Sequence, residues 1–185
     1  MAKPRATADS ACRLECLPAW AEGRSGDVLV VVETPKGSPS KLAYEPAYGS
    51  FVLKKILPAG MTFPYDFGFV PSTEAEDGDP VDALILMEAA LTPGTVVEAR
   101  LIGLLHAKQL EGSRWKRNDR LLAVACASRA HADVRSVRDL SARLRRDLVA
   151  FFVGYEEILG TRFKAGRFAG PLEAKEAVRR ATVSR

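Results

Sequence analysis

Three carboxylates crowd six residues of this chain, Asp77-Gly78-Asp79-Pro80-Val81-Asp82, with the apolar run Ala83-Leu84-Ile85-Leu86-Met87 directly behind them. Carboxylates this close repel one another, which raises their pKa values or recruits a cation, and oxygen-only ligands favour a hard divalent ion such as Mg²⁺. Asp, Gly and Pro are equally the residues of an exposed turn before a strand, so the hexapeptide alone leaves both readings open. A helix-flanked calcium loop is excluded. Asp77, Asp79 and Glu88 match its acidic places, but Val81 takes another ligand position, Asp82 stands where Gly is needed, and a strand follows Pro80.

The elements that must position these groups are mostly short strands. Val28 to Glu33 is β-branched and apolar and closes at the turn Thr34-Pro35-Lys36-Gly37-Ser38-Pro39, and Lys41 to Glu45 with Phe51 to Leu57 reads as a hairpin. Further strands are expected at Val81 to Met87, Val96 to Leu105 and Leu121 to Cys126. The rear of the chain changes period. Leu140, Leu144, Leu148, Phe151, Phe152, Tyr155, Ile158 and Leu159 recur at helical spacing, the apolar stripe of a helix that covers the sheet. A second helix is expected from Pro171 through Val178, because Pro is tolerated at a first helical position. Strands first and helices last predict an α+β fold, a small barrel sealed by helices. Residues 1–26 read as a loosely ordered N-terminal extension and 27–185 as a single domain.

A length of 185 residues is enough to bury a core without disulfides or a structural metal, and 47% hydrophobic with 27% charged content is ordinary for a soluble protein. No apolar stretch approaches the roughly 20 residues of a membrane helix. The start, Met1-Ala2-Lys3-Pro4-Arg5, is basic but has no apolar segment behind it, so it does not read as a secretory signal. A cytoplasmic address without a membrane partner is therefore expected. Cys12, Cys16 and Cys126 make an odd number, which suits a reducing compartment. Cys12 and Cys16 have no second pair with which to form a zinc site, and His106 and His131 lack ligand spacing. The net charge of +4 sits late, with thirteen Lys or Arg against seven Asp or Glu from Arg129 to Arg185. That surplus suits an anionic partner or a solvated helix face alike. Without a basic, aromatic-interleaved signature, no nucleic-acid partner is expected.

The stretch Leu57-Pro58-Ala59-Gly60-Met61-Thr62-Phe63-Pro64-Tyr65-Asp66-Phe67-Gly68-Phe69-Val70-Pro71, running into the aspartate hexapeptide, resembles the family I soluble inorganic pyrophosphatases. The similarity extends from about Val28 to Val124 and more weakly through Phe151-Phe152-Val153-Gly154-Tyr155. What the resemblance implies is a five-stranded closed barrel of oligonucleotide-binding-fold topology with flanking C-terminal helices. The implied activity is Mg²⁺-dependent hydrolysis of pyrophosphate to two phosphates, and a symmetric homo-oligomer is the implied assembly. In that chemistry Asp77 and Asp82 would hold metal and Asp79 would take the proton of the attacking water. Two apart in an extended segment, Asp77 and Asp79 would point the same way. Lys41 and Lys55 match phosphate-binding positions, although strand lysines ordinarily just face water. Glu33 matches a glutamate that meets metal, and Tyr155 matches a phosphate-contacting tyrosine, with core packing as its alternative.

Several of the family's positions are altered. An expected glutamate is Ala43, an expected arginine is Lys55, and two expected tyrosines are Phe63 and Phe67. From His106 to Arg120, where the family has two further metal-binding aspartates and a lysine, a literal alignment places Gln109, Asn118 and Arg120. Glu111 and Asp119 are the alternative metal carboxylates if the segment shifts register, and Glu156 replaces a lysine beside Tyr155, with Arg162 or Lys164 as a compensating cation. Neutral amides bind hard metals less well than carboxylates, so the literal alignment predicts fewer or looser Mg²⁺ ions. Three functions follow: a pyrophosphatase, a hydrolase of another phosphoanhydride, or a phosphate- or metal-binding protein of little turnover on the same scaffold.

Overall fold

The computed structural model describes residues 13–23, 26–158 and 160–183. Most of the expected N-terminal extension, with Cys12, lies outside the described residues, as does Leu159 at the end of the helical stripe. In chain order the described residues form β1 (Asp27–Thr34), β2 (Ser40–Glu45), β3 (Ser50–Ile56), β4 (Asp66–Phe69), β5 (Asp82–Leu86), β6 (Val96–Glu111), β7 (Arg114–Arg117), β8 (Arg120–Ala125), α1 (Ala142–Ile158), β9 (Phe163–Ala169) and α2 (Pro171–Ala181). None of these helices is long and apolar enough to cross a membrane.

This is a mixed α+β fold. Strand pairing runs β1-β4-β5-β8-β6, and β6 pairs in turn with β1, so five strands complete a ring of pairings. The β5–β8 pair is parallel and the others in the ring are antiparallel. Both faces of β5 and β8 are buried, which is why they read as continuous apolar runs. Ala83, Ile85, Leu121 and Ala123 join one core with Val28, Val30 and Val32 of β1, sealed by Ala174 and Val178 of α2. Leu84, Leu86, Leu122 and Val124 join the other, covered by Leu148, Phe152 and Tyr155 of α1.

The boundaries differ from expectation in three places. β6 runs on to Glu111 and turns through Gly112, at φ 57°, into β7, so the expected loop there is a hairpin. Mixed charge and a lone Trp115 concealed it, since β7 is exposed and has no apolar period. β9 pairs with β6 although its Lys, Gly and Arg carry weak strand propensity, an edge position that pairing rather than composition decides. Short β4 is likewise added between β1 and β5. Ahead of β1, Trp20 bridges Val28 and the Leu29 N–H donates to the Ala19 carbonyl at 2.9 Å, which seats the described residues 13–23 against the ring.

Candidate functional site

The period of two along each strand aims the site residues. Asp82 lies on the face of Leu84 and Leu86, Arg120 on that of Leu122 and Val124, and Gln109 on that of Ala107 and Leu105, all toward the core beneath α1. On α1, Tyr155 and Glu156 share the buried side with Leu148 and Phe152, and Glu156 is only 3% exposed. Glu33 arrives by a different device. Val32 faces Gly68 and Thr34 faces Phe67, leaving Glu33 as an extra bulge residue whose direction departs from the alternation. Close strand approach there requires Gly68, because a Cβ would stand 1.9 Å from the Val31 carbonyl oxygen.

These side chains line a cavity of about 490 Å³. Its lining holds six carboxylates, Glu15, Glu33, Glu45, Asp79, Asp82 and Glu156, against three cations, Lys41, Lys54 and Arg120. Lys41 lies 3.4 Å from Glu33, whose other oxygen accepts the Tyr44 N–H at 2.8 Å, and its ammonium sits 4.1 Å from the centre of the Phe67 ring. Burial nonetheless pushes the Glu33 carboxyl up against these contacts. Asp79 is raised by burial first and then by the Asp82 and Glu111 charges, opposed by Lys54 and Lys41. Asp77 is raised by burial, with the Asp79 N–H opposing and Asp82 and Asp79 adding to the rise.

On the α1 side the polar groups close on one another. Arg120 Nη1 is 2.6 Å from Asp82 Oδ2 and Nη2 is 3.7 Å from Glu156 Oε1, and Nη1 also donates to Asn118 Oδ1. Asn118 Nδ2 donates to Gln109 Oε1 at 2.7 Å, and Gln109 Nε2 donates to Glu156 Oε2 at 3.1 Å, which accepts Thr161 Oγ1 at 2.7 Å as well. Phe67, Phe152 and Phe163 flank the guanidinium at 6.0, 5.7 and 5.8 Å.

Among the described residues no three His, Cys, Asp or Glu side chains gather into a ready-made metal cage. The Asp77, Asp79 and Asp82 sector nevertheless fits a magnesium ion in kind. Its donors are hard oxygens, two of them carry pKa values raised in part by neighbouring carboxylates, and Mg²⁺ is usually held by one or two carboxylates while water and phosphate oxygens complete its shell. The Gln109, Asn118 and Glu156 sector does not fit, because its acceptors are engaged by amide, hydroxyl and guanidinium donors.

The family model described as inorganic pyrophosphatase matches residues 30–184. The chain belongs to the inorganic pyrophosphatase family. The inorganic pyrophosphatase of Thermus thermophilus is 33% identical over 151 residues, covering 82% of this chain and 84% of that protein. That of Saccharolobus solfataricus is 33% identical over 158 residues, covering 84% and 90%. Among solved structures, the Thermus thermophilus pyrophosphatase superposes with a TM-score of 0.83 at 31% identity over 92% of this chain and 97% of its own. The Coxiella burnetii pyrophosphatase gives 0.80 at 27% identity, over 90% and 98%.

Against the pyrophosphatase resemblance, the structure gathers Asp79, Asp82, Glu33, Lys41, Tyr155 and Arg120 around one cavity, with Asp77 adjoining through Gly78. The expectation that Asp77 and Asp79 point the same way from an extended segment does not hold. Gly78, at φ 93°, makes a turn, and the Asp79 N–H donates to Asp77 Oδ1 at 3.2 Å. Besides Asp77, which only adjoins it, three expected residues fall outside the cavity lining. Asp119, between inward Asn118 and Arg120, faces the other way, accepting Arg117 Nε at 2.8 Å and the Ala107 N–H at 3.1 Å with His106 Nδ1 at 3.2 Å. Glu111 stands exposed at the hairpin tip, 2.7 Å from Lys116, and acts on Asp79 only through its charge. Lys55 faces Lys41 in the ladder, but a bulge in β3 leaves Lys54 unpaired and it is Lys54 that lines the cavity. The altered positions Ala43, Phe63, Phe67, Gln109, Asn118 and Glu156 all line it. Phe63 lies 5.5 Å from the Tyr155 ring, so Tyr155 both lines the cavity and packs in the core. Sequence reading missed Lys54, Glu15 and Glu45. The bulge leaves no local signal, and Glu15 arrives from a segment whose place against β1 only tertiary packing decides.

Proposed function

We propose that this chain hydrolyses inorganic pyrophosphate to two phosphates in a Mg²⁺-dependent reaction with Asp79 as general base. The observation that carries the reading is one cavity in which Asp79 and Asp82 meet Lys41 and Lys54 within a fold that superposes on pyrophosphatases. Pyrophosphate is a multiply charged anion, and the six lining carboxylates would repel it without added cations. Asp77 and Asp82 would hold the ion, with Glu33 farther along the wall. Bound Mg²⁺ supplies neutralising charge and a lowered pKa for its water. Asp79 accepts the proton of the attacking water, a task suited by a carboxylate whose pKa is raised by burial and by the Asp82 and Glu111 charges. Lys41 and Lys54 receive phosphate oxygens as point charges, and Tyr155 and Arg120 border the same space.

We read the ring of strands as a small barrel of oligonucleotide-binding-fold topology in a single domain over 27–185. A homo-oligomer of closed symmetry in the cytoplasm, without nucleic-acid or membrane partners, completes the reading.

A second reading, a pyrophosphate- or metal-binding protein of little turnover, is favoured by the absence of hydroxyls at Phe63 and Phe67 and by the amide and guanidinium closure of the α1 side. Phosphate release from pyrophosphate and from a nucleoside triphosphate, with and without Mg²⁺, separates the two. Wild type is expected to release phosphate from pyrophosphate only with Mg²⁺, and Asp79→Asn to lose most of that release. Calorimetric binding of pyrophosphate without release at any Mg²⁺ concentration replaces the first reading by the second.

A further inference from the structure

We propose that Arg120 is a resident cation that holds the place of a divalent ion beside Asp82 and Glu156, so that this half of the cavity takes no metal. The inference rests on reading the cavity as a magnesium-dependent pyrophosphate site and says where in it the ion does not go.

Arg120 is 4% exposed, and a buried guanidinium is tolerated where carboxylates and other acceptors satisfy it. Here it meets Asp82 at 2.6 Å and Glu156 at 3.7 Å, and bonds to Asn118 Oδ1. A divalent ion at this place would want the same oxygens, Asp82 Oδ2 among them, whereas the ion held with Asp77 would take Asp82 Oδ1. The remaining acceptors are closed as well. Glu156 Oε2 is held by Gln109 at 3.1 Å and Thr161 at 2.7 Å, and Gln109 Oε1 by Asn118 at 2.7 Å. An entering ion would have to displace this circuit beside a fixed positive charge, where the rings of Phe67, Phe152 and Phe163 offer it no oxygen ligand.

A resident guanidinium differs from an ion in chemistry as well as in occupancy. A guanidinium stays charged at every working pH, cannot be chelated away, and presents a fork of N–H donors that matches phosphate oxygens. The Arg120 half therefore keeps its positive charge whatever the Mg²⁺ concentration, while the Asp77 and Asp79 half depends on it.

Counting bound Mn²⁺ by electron paramagnetic resonance, without substrate, tests this. Wild type is expected to bind one ion per chain, Arg120→Ala two, and the double variant Arg120→Ala/Glu156→Gln one again. Two or more ions on wild type overturn the proposal, as does an Arg120→Ala protein that is folded by circular dichroism and binds no more than wild type. Should Arg120→Ala fail to fold, the wild-type count decides alone. No bound ion on wild type leaves the Arg120 half metal-free as proposed and removes instead the magnesium reading of the whole site.

Discussion

Arg120 and Asp82 face each other at 2.6 Å, one rung before the parallel Ala83–Leu121 pair. Parallel register thus sets the first residue of β5 against the first residue of β8, both aimed at α1. Removing one partner of a buried ion pair costs about 3–5 kcal/mol, and here the charge left desolvated is Glu156, whose side chain is 3% exposed, rather than the 25% exposed Asp82. Arg120→Met is expected to lower stability by roughly that amount, read as a shift of the urea midpoint without divalent ions.

Lys54 and Lys55 separate the bulged register from a regular one. Replacing Lys54 by Ala is expected to raise the KM for pyrophosphate about tenfold, the scale of about 1.4 kcal/mol of lost charge contact. Lys55→Ala should stay within about twofold, because regular surface substitutions cost little. Equal effects in steady-state assays would contradict the bulge.

Asp119 and Asp82 lie on opposite faces, so their amide variants should behave differently. Asp82→Asn is expected to weaken Mg²⁺ activation at least tenfold, on the order of a lost carboxylate ligand. Asp119→Asn should leave the Mg²⁺ dependence of phosphate release unchanged and affect only the His106 and Arg117 contacts.

Asp66 provides a pH test away from the cavity. Its Oδ1 accepts the Lys36 N–H at 2.7 Å and the Leu91 N–H at 3.3 Å, while Oδ2 is buried without a hydrogen-bond partner. Burial raises its carboxyl above the usual value of 3.8 despite those donors. A raised carboxyl binds more protons folded than unfolded, so its contribution is present below the unfolded value and is lost as pH rises through the folded one. Asp66→Asn keeps the accepting oxygen and removes the charge. Urea unfolding should show it more stable than wild type near pH 7, by up to about 1 kcal/mol, with the gain vanishing near pH 3.

Gly68→Ala is expected to cost about 3 kcal/mol or more, since the added methyl meets the Val31 carbonyl at 1.9 Å and backbone cannot move aside cheaply. Thermal melting reads the loss, and hydrogen exchange should localise it to the β1–β4 pair.

Much of the framework was legible because burial imposes a period on the chain. The apolar runs at Val28 to Glu33, Val81 to Met87 and Leu121 to Cys126 became strands of the ring, and Pro171 opened α2 where its missing N–H is harmless. β7 and β9 stayed hidden because edge strands carry no apolar run, and the length of β6 beyond Leu105 depends on partners distant in sequence.

For the site, the sequence by itself determined which acids are available: Asp77, Asp79 and Asp82 crowd one segment, and mutual repulsion among them follows from covalent proximity. Only the tertiary structure decided which side chains share the space. Strand parity turned Asn118 and Arg120 inward and Asp119 outward, and bulges redirected Glu33 and Lys54. Helix packing then buried Glu156 against Arg120. Each outcome depends on a register or crossing between segments far apart in the chain, and a one-residue slip in either would reverse it.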